Sequence, residues 1–111
     1  MEPGALSQLR RGALEYCVLA LLQDEPRYAV DLVTELGRHP SLVTSEGTIY
    51  PLLSRLRKEG LVLTEQRESE QGPPRRYYQL TRDGRRALDR FETDWRAFRD
   101  AVDQTLRKDT P

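Results

Sequence analysis

The sequence has 111 residues, the size of one domain, and a chain this short buries only about two thirds of its unfolded surface, so a partner subunit would help it. Its 18 basic and 18 acidic residues cancel, which argues against a bulk nucleic-acid coat but leaves room for a local basic patch. The one cysteine excludes an internal disulfide, the N-terminal MEPGALSQLRR lacks a basic-then-apolar signal pattern, and the run ALEYCVLALL is too short to span a membrane and carries Glu15, all of which points to a cytoplasmic protein.

In chain order, the spacing predicts a helix over 7–23, capped by Ser7, with Leu14, Val18, Leu21 and Leu22 on one stripe and Pro26 beyond its end. A second helix is expected over 28–36, from Ala29, Leu32, Val33 and Leu36, closed by Gly37 and Pro40. A polar bridge, 41–45, leads to a third helix, EGTIYPLLSRLRKEG, with Ile49, Leu52, Leu53 and Leu56 inward and a stop at Gly60. Then the period changes. LVLTEQRE (61–68) and RRYYQL (75–80) read as two strands around the polar loop SEQGPP, a small hairpin. Thr81 is placed to cap a last helix over 82–107, about 39 Å long. There Leu88, Phe91, Trp95, Phe98, Val102 and Leu106 form a near-heptad seam that the small head cannot cover, so self-association is expected. The fold class is mainly α with a small β-hairpin: a winged helix-turn-helix domain over 1–81, a dimerisation helix over 82–107 packed with the N-terminal helix, and a tail at 108–111.

The third helix has a poor start for a helix, with Gly47 and Pro51, and an outer face of hydroxyls and cations. Reading DNA explains both. Gly47 lets backbone approach phosphate, and the unpaired first-turn amides favour anions. Thr48, Tyr50 and Ser54 can donate to phosphates or bases, and Arg55 and Lys58 can pair with phosphate or guanine. Pro51 is expected within or just beyond the first turn, where little bonding is lost. Residues 48–58 carry a net charge of +3 and residues 75–86 a net +4, so Arg75, Arg76 and Tyr77 of the wing join the candidate DNA contacts.

These segments resemble the PadR family of bacterial transcriptional regulators. The resemblance is carried by Gly12, Leu14, Val18 and Leu19; by Tyr28 and Leu32; by Gly47-Thr48-Ile49-Tyr50-Pro51 with Leu53, Arg55 and Leu56; by Gly60-Leu61-Val62; and by Gly72-Pro73, Arg76-Tyr77-Tyr78, Leu80-Thr81 and Gly84. Val30 departs from it, since the family often has a tyrosine there. The resemblance implies the short subfamily with a single C-terminal helix. Its members are typically homodimeric repressors of neighbouring genes, often transporter or stress genes, and of their own gene; some respond to small aromatic or drug-like compounds.

Blander readings stand beside these. Tyr50 can pack under its helix with the hydroxyl out, and Arg75 and Arg76 can be ordinary hairpin charges. Tyr77 and Tyr78 point to opposite faces, one to the core and one to the wing surface. Phe91, Trp95 and Phe98 can stack a flat aromatic ligand between subunits, with Asp94 and Asp100 favouring cationic ones, or can be plain dimer core. Cys17 reads as packed and His39 lacks metal-ligand company, so no metal or cofactor is implied. With one histidine, one cysteine and no phosphate loop, an enzyme is rejected. A winged-helix protein–protein adaptor, without DNA binding, is the alternative.

Overall fold

The computed structural model describes residues 5–107, so the 108–111 tail lies outside it. The elements run α1 (Ala5–Leu21), β1 (Arg27–Tyr28), α2 (Ala29–Leu36), a 3-10 turn (Pro40–Leu42), α3 (Glu46–Lys58), β2 (Val62–Ser69), β3 (Gly72–Leu80) and α4 (Arg82–Arg107). Helix α1 is already under way at Ala5, so Ser7 lies inside it rather than capping it. It closes early, with tightened Leu22 N–H to Leu19 O and Gln23 N–H to Ala20 O bonds of 3.1 and 3.2 Å. Its buried face is Leu14, Val18, Leu19 and Leu22, with Leu21 only partly covered.

The expected hairpin is part of a three-stranded antiparallel sheet ordered β1-β3-β2. Arg27 pairs with Tyr78 and Tyr28 with Tyr77. Two residues carry no alternation to read, which is why β1 escapes a periodicity search. The loop is also shorter than SEQGPP suggests: only Glu70 and Gln71 lie between the strands. Pro73 and Pro74 are accommodated because the register shifts between Arg67 and Ser69, leaving the two prolines opposite Glu68 in a bulge that asks them for no ladder hydrogen bond.

The core gathers α1, α2 and α3 over Val62 and Tyr78 of the sheet and Leu88 of α4. Leu19, Leu32, Ile49, Leu53, Leu56 and Val18 are its fully buried side chains, each worth roughly 1.5–3 kcal/mol over exposure. Two backbone junctions set the directions of α3 and α4. At the end of α3, Leu61 N–H reaches Leu56 O and Gly60 N–H reaches Arg57 O, both at 3.0 Å, with Gly60 at φ 77. This is the left-handed reversal that glycine favours. At the start of α4, Thr81 Oγ1 accepts from Gly84 N–H at 2.9 Å and donates to Gly60 O at 2.7 Å. Thr81 N–H adds a bond to Leu61 O at 3.1 Å. A methyl group at Gly84 would overlap the Leu61 carbonyl, so α4 rests directly on the backbone of the α3–β2 corner.

Candidate nucleic-acid interface

Helix α3 is capped by Ser45, whose side chain accepts from Thr48 N–H at 3.3 Å and also reaches the Thr48 hydroxyl at 3.3 Å. Ile49, Leu52, Leu53 and Leu56 hold its inner face. At about 100° per residue, Gly47, Pro51, Ser54 and Lys58 line up directly opposite, and all four are exposed. A Cβ at Gly47 would meet only Ser45 Oγ, at an ordinary 3.7 Å, so nothing among the described residues requires glycine there. Pro51 is the sixth residue of the helix, further in than its sequence position suggests. Having no N–H, it removes the donor that the Gly47 carbonyl would have four residues on in a regular helix.

The two flanks of this stripe have different neighbours. On one, Arg55 donates to Glu15 of α1 at 2.9 Å. On the other, Tyr50, 49% exposed, meets the wing. There it lines a groove of about 470 Å³ with Tyr28, Val30, Pro74, Arg75, Arg76 and Tyr78. Burial pushes the Tyr78 hydroxyl above its ordinary pKa, against the opposite pull of the adjacent Arg76 and of Arg57. Arg57 therefore belongs to this corner; its position seven residues after Tyr50, on the same flank, is the sequence signal for it. Tyr28 enters through β1 and Val30 through the first turn of α2, and neither placement was foreseeable from local pattern.

Strand alternation divides the expected wing residues. Arg76 lies on the Tyr78 face, towards α3. Arg75 and Tyr77 rise from the other, where Arg75 sits 4.5 Å over the Tyr28 ring at the sheet edge that borders the groove, Tyr28 meets Tyr77 edge-on at 5.4 Å, and Arg67 covers Tyr77 at 4.8 Å. The hairpin sets Arg67, Arg75 and Arg76 against Glu65, Glu68 and Glu70, so by itself it is neutral. The basic segment 75–86 is thus split: Arg82, Arg85 and Arg86 belong to α4, where Arg86 pairs with Asp83 at 3.5 Å and Arg85 reaches Gln23 O at 3.5 Å.

The seam of α4 is divided as well. Leu88 is 7% exposed and belongs to the head's core. Phe91 stacks on Tyr16 of α1, ring centroids 4.1 Å apart and nearly parallel. Trp95, Phe98, Val102 and Leu106 stay open, at 40, 63, 36 and 73% exposure. Leu9, Gly12 and Ala13 of α1 with Phe91, Asp94, Trp95 and Phe98 line a groove of about 430 Å³. Asp100 pairs with its neighbour Arg99 at 3.6 Å. Burial raises the pKa of the Cys17 thiol, which lowers its thiolate fraction and reactivity. Among the described residues no His, Cys, Asp and Glu cluster could hold a metal ion, and no helix is long and apolar enough to cross a membrane.

Residues 18–90 match the family model for PadR-like transcriptional regulators. A curated transcriptional regulator of Mycobacterium tuberculosis is 39% identical over 83 residues, covering 75% of this chain and 76% of the relative. A PadR family transcriptional regulator from Eggerthella lenta superposes with a TM-score of 0.82 at 35% identity, covering 92% of this chain and 88% of that one. A PadR-like transcriptional regulator from Bacillus cereus gives 0.81 at 38% identity, over 90% and 97% of the two chains.

Proposed function

The chain belongs to the PadR-like family of transcriptional regulators, and from that premise we propose that it is a homodimeric repressor reading an inverted-repeat operator. It is a regulator and not an enzyme. One observation carries the finer reading: the same chain exposes a donor-rich face on α3 and an uncovered apolar seam on α4. The first fits a major groove about 12 Å wide. The second fits a second copy of itself.

In this reading Gly47, Thr48, Pro51, Ser54 and Lys58 enter the groove, and Tyr50 reaches phosphate or base from the wing side. Arg76 follows the backbone beside it, Arg75 and Tyr77 brace the wing from behind, and Arg55 stands at the edge of the footprint. Two-fold symmetry places the half-sites roughly 34–36 Å apart, one turn of DNA. Trp95, Phe98, Val102 and Leu106 form the dimer seam. A small aromatic effector held near Phe91, Trp95 and Phe98 would relieve repression by favouring a head spacing that the operator does not match. Targets are neighbouring genes and the protein's own gene, and the site of action is the cytoplasm.

In-vitro selection from random duplex DNA tests this. A palindrome with one-turn half-site spacing is the expected result. No enrichment from folded protein would remove operator reading and favour the adaptor, which the neutral hairpin also suits. An adaptor would lack the steep salt dependence of DNA binding, a log–log slope of about −0.9 per phosphate neutralised.

A further inference from the structure

Arg55 stands apart from the other cations of α3. Its Nη2 lies 2.9 Å from Oε1 of Glu15, whereas among the described residues Arg57 and Lys58 make no ion pair. The Glu15 side chain is 20% exposed and that of Arg55 52%. Ion pairs this open add little stability, because screening and side-chain ordering offset the attraction. What such a pair supplies is orientation.

Helix α3 needs it. The Ser45 cap, the Gly60 reversal and the inner leucines fix its ends and one face. That packing sets the roll of the helix, and contacts on its two flanks set how the exposed side chains are presented to the groove. On the Tyr50 flank an open groove separates the helix from the wing. On the Arg55 flank α1 adds two polar ties: Glu15 holds Arg55 and, five residues earlier, Arg10 donates to Ser41 O at 3.1 Å in the approach to α3.

We propose that Glu15 is a positioning residue for operator recognition, acting through Arg55: the pair sets how the Arg55 flank of α3 is presented and keeps the Arg55 guanidinium off the DNA backbone. This rests on the DNA-reading role of α3, and it makes Arg55 a strut rather than a contact.

The two roles give opposite signs. Glu15→Gln, Arg55→Gln and the double variant are titrated with the selected operator across a salt series. As a strut, each single variant weakens operator binding about fivefold, a coupling of ordinary size. The double variant is then no weaker than either single one, the salt slope of Arg55→Gln is that of the parent, and the swapped pair Glu15→Arg with Arg55→Glu recovers affinity. If Arg55 touches DNA instead, Glu15→Gln tightens binding by releasing it. In that case Arg55→Gln also makes the slope shallower by about 0.9, and the swapped pair binds worst; any of these results overturns the proposal. Circular dichroism checks that each variant is folded, and Glu15→Asp, one carbon short of its partner, repeats the comparison if Glu15→Gln is not. Failure of the parent protein to select any operator would sink the DNA-reading role itself, a separate outcome.

Discussion

Gly84 and Gly60 are both glycines at helix ends, yet they answer to different physics. At Gly84 the obstacle is space: a Cβ would lie inside the Leu61 carbonyl, which is backbone and cannot swing aside. At Gly60 the space is free and the obstacle is φ 77. Gly84→Ala is therefore expected to lower unfolding free energy by roughly 3 kcal/mol, the scale of overpacking a rigid site. Gly60→Ala should cost about 1 kcal/mol, the left-handed penalty alone. Urea denaturation of the two variants checks the order; equal losses would show that the carbonyl at Leu61 yields. Tyr78 gives a pH signature at the same scale. Its folded pKa is raised above the unfolded value of 10.0, so the stability it contributes is fully present below about pH 10 and is lost as pH rises through the folded pKa. Tyr78→Phe should flatten the alkaline limb of stability against pH; an unchanged limb would mean that other groups carry it.

Helix α3 lets propensity and function be pulled apart. Glycine in a helix is worth about 1 kcal/mol less than alanine, and at Gly47 the chain has room for the methyl group. Gly47→Ala should thus stabilise the protein by about 1 kcal/mol in thermal unfolding, while weakening operator binding where DNA backbone comes close. A variant both more stable and equally tight on DNA would take Gly47 out of the interface. Elements of this kind were legible because long amphipathic segments announce their inner face: the inner residues of α3 and the span of α4 follow from spacing. What escaped was non-local. Arg27 and Tyr28 become a strand only because Tyr77 and Tyr78 arrive beside them fifty residues later. Pro73 and Pro74 look like loop until a bulge excuses them from the ladder. Glu15, forty residues before Arg55, shares no pattern with it. The seam of α4 looks uniform in sequence, yet α1 takes Phe91 and the core takes Leu88, leaving the distal half exposed.

At the scale of the molecule, that distal half is the clearest unfinished surface. The chain measures 61 × 36 × 21 Å, long because α4 projects past the head. Trp95, Phe98, Val102 and Leu106 together make an apolar strip that water meets without compensation. Phe98→Asp places a charge in that strip without touching the core, since Phe98 is 63% exposed. Sedimentation should report a monomer with an intact fold, and affinity for a two-half-site operator should fall at least tenfold through loss of the linked second head, an effective-concentration effect of about 10²–10⁴ at full strength. A variant that stays dimeric would move the interface elsewhere.

The junction at Thr81 has a consequence for how such a regulator can change. With its hydroxyl joined both to Gly60 O and to Gly84 N–H, Thr81 ties the start of α4 to the end of α3. A head on a loose tether can settle on half-sites in several orientations and separations; a head keyed to a shaft cannot. Each residue inserted into α4 beyond the junction would turn everything after it by about 100° and advance it by about 1.5 Å. In the proposed dimer, the separation and orientation of half-sites are thus geared to the shaft, and the letters recognised are set at α3. A lineage could alter either one while leaving the other in place.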